Sequence, residues 1–206
     1  LPTTSPYSDG LTCDASVFTT TGDNAIVDWI WVEFRDENDN SLSSYGRSAL
    51  LQRDGDIVDV DGTSTMNYST INDTYYVAVK HRNHLGIMSV IPFTFNSNYS
   101  LNFTLSNSVI TYGSNAQTTF GMPTGVMAMW AGDTNGDGIV QYSGGNSDVP
   151  SILSEVLNEP GNFLNFPTYN FSEYSTFDVN MNANIQYSGG EPDTPYILQN
   201  VFEHPG

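Results

Sequence analysis

The chain has 206 residues, 38% of them hydrophobic, which is enough for one large or two small domains with ordinary cores. A formal net charge of −18 leaves no basic face to neutralise a phosphate backbone or an anionic bilayer, so nucleic-acid binding and direct membrane insertion are excluded as main functions. A lone cysteine, Cys13, rules out an intrachain disulfide and every cysteine-based zinc pattern.

The five basic side chains, Arg35, Arg47, Arg53, Lys80 and Arg82, all precede residue 83, so the rest of the chain carries acids with no Lys or Arg to offset them. Such a segment repels itself unless cations screen it. A chain that opens on Leu1, with no apolar leader, reads as a mature or excised piece.

Residues 1–125 read as a β domain. Ile26, Ile30, Val32 and Phe34 alternate with Val27, Trp29 and Trp31, so a strand there is apolar on both faces and belongs at the centre of its sheet. Asp54-Gly55 predicts a two-residue hairpin turn that pairs Arg53 with Asp56, Gln52 with Ile57 and Leu51 with Val58. Asp61-Gly62 repeats the device and pairs Val60 with Thr63. Strands follow near 48–53, 56–60, 63–67, 75–82, 86–95, 100–105 and 117–121. This spacing, with Asn, Asp and Ser at the turns, predicts a mainly β chain with an Ig-like β-sandwich; a jelly roll is the alternative.

Turn chemistry also accounts for the acid run Asp54, Asp56, Asp59 and Asp61 without a metal. In Lys80-His81-Arg82-Asn83-His84, strand alternation sends the two histidines to opposite faces, which argues against zinc and for a strand end whose Arg82 and histidines pair with nearby Asp. Asn67, Asn72, Asn98, Asn102 and Asn170 open Asn-x-Ser/Thr sequons, usable only in a glycosylating host.

Residues 126–206 contain an internal duplication, 133–161 and 178–206, at a constant offset of 45. Asp133, Asn135, Gln141, Tyr142, Gly144, Asp148, Pro150, Ile152 and Pro160 return as Asp178, Asn180, Gln186, Tyr187, Gly189, Asp193, Pro195, Ile197 and Pro205. Each copy opens on alternating oxygen-bearing side chains and ends in a short apolar helix behind a proline, near Ser151–Leu157 and Tyr196–Phe202.

In the first copy, oxygen donors at loop positions one, three and five (Asp133, Asn135, Asp137), glycine at six and the Ile139 carbonyl at seven suit a hard cation, calcium above all. Gly144 stands where the usual twelfth-position acid would be, so Asp148 either closes an extended loop as a ligand or caps the helix that follows. The second copy offers Asp178, Asn180, Asn182, Asn184 and Asp193, with one carboxylate instead of two among the first three donors. Affinity follows ligand charge, so one calcium is expected with a second weaker or absent.

Tandem DxNxDG-type loops, each leading into a short helix, resemble the duplicated calcium segments of dockerins, whose helices face a cohesin partner. Across nearly the whole chain, the phrases VDWIWVEFRD (27–36), ALLQRDGDIVDVDG (49–62), YYVAVKHRNHLGIMSV (75–90) and MAMWAGDTNGDGIVQYSGG (127–145) resemble the C-terminal, hemagglutinin-like or adhesin-like module of large secreted surface proteins of Bacteroidota-type bacteria. That resemblance implies export and a role in adhesion or surface architecture. It also implies a further strand upstream of Pro2–Tyr7; a sandwich without it has an open edge that a like subunit could fill.

No catalytic constellation accompanies these features: GxSxG, HExxH and phosphate-loop patterns are missing, and paired carboxylates in so acidic a chain carry no information. The expectation is therefore a non-enzymatic, calcium-stabilised module, secreted or at the cell surface. Its partners would be other surface-protein domains or like subunits, including a filament. The alternative is a carbohydrate-binding module attached to a secreted polysaccharide-degrading enzyme, with Trp29, Trp31, Tyr75 and Tyr76 as the candidate glycan platform.

Overall fold

The computed structural model describes residues 1–66, 68, 73–95, 101–105 and 111–205. The chain is mainly β and divides into two compact units, one made of Leu1–His81 with Ile87–Gly113, the other of Arg82–Gly86 with Ser114–Gly206. The boundary expected at 125/126 thus falls at 113/114, and a short excursion at 82–86 joins the second unit. No helix among the described residues is long and apolar enough to cross a membrane.

The first unit is organised by one sheet. Strand β1 (Ile26–Asp36) is central, as its two apolar faces demand, running antiparallel to β2 (Ser43–Gln52) on one side and β4 (Thr74–His81) on the other. The short β3 (Ile57–Val58) extends the sheet beyond β2, while β5 (His84–Met88) and β6 (Phe93–Thr94) both pair with β4.

One face carries Ile30, Val32 and Phe34 with Ala49 and Val79, and Phe34 meets Tyr75, Phe95 and Tyr68 edge-on. On the same face, buried His81 reaches the buried Asp28 carboxylate at 2.9 Å. The other face carries Trp29, Trp31 and Glu33, and residues 1–13 lie across it. Trp29 Nε1 donates to the Pro2 carbonyl at 2.9 Å, and the amide and hydroxyl of Ser48 both donate to Asp9. Glu33 is buried but accepts from Lys80 at 2.7 Å and Arg35 at 3.2 Å; burial alone would raise its carboxyl, and these cations hold it below the usual range.

Several expected strands shrink. The 86–95 segment is two strands, β5 and β6, and the 63–67 segment is a single bridge from Thr65 to Val58. Segment 117–121 is likewise a single bridge, Thr118 to Ala128, and residues 101–105 belong to no named strand. Strand ends at 67 and 100 lie outside the described residues, as do the sequons at Asn67, Asn72 and Asn98. Among the described residues the first unit has one sheet.

Beyond Asp61-Gly62 the bridge of Val58 to Thr65 has the expected register. However, Gly62 N–H donates to Asp59 and Asp59 N–H to Ser64, so the turn spans Asp59–Gly62 and the expected two-residue turn with its Val60–Thr63 pair does not form. The Asp54-Gly55 hairpin departs in register: Leu51 pairs with Ile57 and Leu50 with Val58, one residue out of step with a two-residue turn. Gln52 N–H donates to Asp56 and Gly55 N–H to Gln52, so three residues, Arg53, Asp54 and Gly55, make the loop. A type I turn followed by a left-handed glycine gives this geometry, and Gly55 sits at φ +95°. The slip puts buried Val58 opposite buried Leu50 instead of Leu51, which favours it strongly.

The second unit has two helices, α1 (Val149–Asn158) and α2 (Thr194–Glu203), and a small antiparallel pair, β7 (Asn170–Ser172) with β8 (Asn184–Gln186). Its core joins equivalent residues of both copies, Ile152 with Ile197 among them, together with Val149, Val156, Val179 and Ile185. Full burial of such side chains contributes roughly 1.5–3 kcal/mol each. Neither copy could close this core alone, which is the usual logic of a duplicated half-domain.

Replacing Gly55 with Val should lower the stability of the first unit by on the order of 1 kcal/mol or more. A β-branched residue resists positive φ, and a Cβ there would lie 2.7 Å from Thr104 Cγ2. Denaturant unfolding that leaves the midpoint unmoved would contradict the turn.

Candidate metal centre

Asp133, Asn135 and Asp137 form the first loop, and their backbone amides show which oxygens remain available. Asp133 Oδ2 accepts Gly138 N–H at 3.1 Å, Asn135 Oδ1 accepts Asp137 N–H at 2.9 Å, and Asp137 Oδ1 accepts Ile139 N–H at 2.9 Å. Each bond is local and winds the chain around its own donors. Gly136 (φ +73°) and Gly138 (φ +80°) supply the left-handed turns the winding needs.

What distinguishes the loop is Asp133 Oδ1. It is buried, and it is the one buried side-chain nitrogen or oxygen among the described residues without a hydrogen-bond partner. Leaving a buried carboxylate oxygen unmatched costs on the order of 1–3 kcal/mol or more, so such an atom requires an explanation. Burial raises the Asp133 carboxyl above the usual carboxylate range; the backbone N–H groups of Gly138 and Gly136 oppose this and the charges of Asp148 and Asp137 reinforce it.

Of the two roles read for Asp148 from sequence, the cap does not form: its side chain makes no capping bond to α1. It is fully buried, Oδ1 accepting Thr134 N–H at 2.8 Å and Asn135 N–H at 3.3 Å while Oδ2 accepts Gln141 N–H at 2.8 Å. Its own N–H donates back to Gln141 O at 2.8 Å. Both oxygens thus brace the loop against the start of the helix.

Asp193 repeats the brace in the second copy, taking Val179 and Asn180 N–H on Oδ1 and Gln186 N–H on Oδ2. The rest of that loop keeps the winding: Asn182 and Ala183 N–H donate to Asp178, and Asn184 N–H donates to Asn182 Oδ1 at 2.8 Å. Met181 (φ +60°) and Ala183 (φ +67°) now hold the left-handed positions, at a cost of roughly 1–2 kcal/mol per side chain relative to glycine. The fold imposes the loop on a sequence that has lost its glycines.

Asp178 differs from Asp133 in its surroundings. Both of its oxygens have donors, Asn182 N–H on Oδ1 and Ala183 N–H on Oδ2, and Arg82 Nη2 lies 3.5 Å from Oδ2 with both side chains nearly buried. Arg82 also donates to the Ser175 carbonyl and stacks over the Tyr174 ring at 4.7 Å, while Asn83 Nδ2 donates to Asp178 O at 2.7 Å. Sequence assigned Arg82 to some nearby Asp but not to this one, 96 residues away; the absence of any later Lys or Arg was the available signal.

The other candidates do not assemble. Trp29 is fully buried in the first unit, and Tyr75 lies on the sheet face opposite Trp29, Trp31 and Tyr76, so the four aromatics do not form one platform. Asp54, Asp59 and Asp61 serve separate partners: Asp56 N–H, Arg47, and Ser64 with Thr63. His81 bonds Asp28 and His84 bonds Asn83 Oδ1. Among the described residues no three His, Cys, Asp or Glu side chains converge as a metal group. The first loop instead carries two carboxylates and an amide, Asp133, Asp137 and Asn135, on one winding of the chain that ends at Ile139.

Burial pushes the Asp193 carboxyl up to about 6 in spite of its three amide bonds, Asp178 adding to the effect. A raised carboxyl contributes stability that is complete below its unfolded value near 3.8 and disappears as pH rises through about 6. In chelator, unfolding of the second unit should therefore ease by on the order of 1–3 kcal/mol between pH 4 and 7. Asp193→Asn should flatten that part of the pH profile in thermal unfolding; an unchanged profile would refute the assignment. Comparison of the chain with family models, with curated proteins and with solved structures gave no match.

Proposed function

We propose that the chain is a non-enzymatic, calcium-stabilised extracellular module with a structural or adhesive role at a cell surface. The observation that carries this reading is the buried, unpartnered Asp133 Oδ1 inside a loop whose other donors are already wound into place. A hard divalent cation ligated by Asp133, Asn135, Asp137 and the Ile139 carbonyl would satisfy that atom and offset the charge that burial makes costly. Asp148, through its bonds to three backbone amides, holds the loop in shape around the ion.

Calcium is favoured because all four donors are oxygens and the loop is flexible in ligand number, with water completing the shell. Extracellular modules hold calcium with dissociation constants of about 0.1–1 mM, which suits secretion and makes occupancy depend on surroundings. The acidic second unit supports the same setting, since ambient cations screen it. Exposed Ile139, Phe163, Leu164 and Phe202 support contact with another domain or a like subunit. An Ig-like sandwich for the first unit and a dockerin-like second unit are part of this reading.

With roughly 10 mM calcium, mass action on an occupied site adds on the order of 1.4–2.7 kcal/mol. Chelator should therefore lower the melting temperature and raise hydrogen exchange within 126–206 before the strands of the first unit respond. Asp133→Ala should remove more calcium-dependent stability than Asp178→Ala. If chelation alters neither measurement, the calcium reading is wrong; if Asp178→Ala is the more damaging, its ranking of the loops is.

A further inference from the structure

We propose that the duplicated loops have divided their roles: the first takes a metal cation, and the second is a metal-free twin in which the Arg82 guanidinium supplies the positive charge. This rests on the calcium reading of the first loop and adds what happens at the second.

Three differences at matched positions carry the inference. Asp133 has a buried oxygen with no partner, whereas Asp178 at the same loop position has a donor on each oxygen and a guanidinium 3.5 Å away. Asp137 corresponds to Asn182, so the second loop has one carboxylate fewer with which to attract a divalent ion. Asn182 Nδ2 is also turned toward Glu191 Oε2 at 3.3 Å, which spends that acid on an amide.

Arg82 is built into this position. By sequence it is the one Lys or Arg of the second unit, and it stands against Asp178 of the second loop. Its guanidinium is held from several sides, by the Ser175 carbonyl, the Tyr174 ring face and Met181 Sδ at 3.1 Å, with Asn83 fixing the Asp178 carbonyl beside it. An arginine is always charged and cannot be chelated away, so it meets the electrostatic need of the loop under all conditions. A metal approaching Asp178 would have to enter beside that fixed positive charge.

Calcium titration of the full chain in metal-stripped buffer, read by calorimetry, tests this. One ion per chain is expected for the native protein, none for Asp133→Asn, and one for Asp178→Asn with affinity changed less than about threefold, since that substitution lies outside the loop that sets the charge count. Arg82→Gln should lower the melting temperature equally with and without chelator. Restoring the first loop's pattern by Asn182→Asp with Ala183→Gly should leave the count at one while Arg82 is present and raise it to two when Arg82→Gln is added. Two ions in the native protein, one of them lost in Asp178→Asn, would overturn the division of roles and leave calcium at the first loop intact. Two ions in the Asn182→Asp, Ala183→Gly protein would show that Arg82 does not exclude metal. A native protein that binds none removes the calcium reading and this inference together.

Discussion

A buried aspartate that receives the backbone of its own loop is the interaction on which the second unit depends. Asp148 and Asp193 each sit at the threshold of a helix, fully buried, and each gathers amides from both ends of the loop that precedes it. A carboxylate taken from water must be given donors, and the donors nearest to hand are the unpaired N–H groups of a tightly wound turn. Loop and helix are thereby fastened through one side chain. The apolar faces of α1 and α2, carrying Ile152 and Ile197, then close over a common core.

The same brace explains why the two loops can diverge without losing shape. Met181 and Ala183 adopt left-handed backbone that glycine adopts in the first copy, so the second loop tolerates local strain in exchange for tertiary fixation. Gln186 shows the constraint from the other side: its side chain occupies the space a Cβ at Gly189 would fill, and its amide oxygen accepts Glu191 N–H. The recurring Gln-Tyr-Ser-Gly-Gly phrase is thus a packing requirement of the brace, distinct from any ligand set. Freed from holding the fold, the first three donors could keep an ion site in one copy and exchange it for an arginine in the other.

The first unit obeys a different rule, that of a sheet with both faces covered. Strand β1 has apolar side chains on each side because Phe34 and its aromatic neighbours pack one face while residues 1–13 cover the tryptophans on the other. Trp29, fully buried, has no face left for a sugar. Glu33 with Lys80 and Arg35 keeps a charged group on that covered face at tolerable cost, since each charge is offset within about 3.5 Å.

By itself the sequence determined whatever depends on neighbours along the chain: the duplication, the two loops and their helices, the central strand, and the hairpins at Asp54-Gly55 and Asp61-Gly62. These rest on periodicity, turn residues and ligand spacing, all of them local. Tertiary structure decided what depends on residues far apart. The register at Gly55 followed from which partner buried Val58, because an Asp-Gly pair is compatible with a turn of two residues or three. Asp148 became a brace because amides at 134 and 141 converge on it, and Asp178 met Arg82 across 96 residues of chain, a pairing that folding alone selects among the available acids. The orphaned oxygen of Asp133 belongs to the same class: a spacing can place donors in order, but only the folded chain determines which of them are left without a partner, because burial and satisfaction are properties of packing.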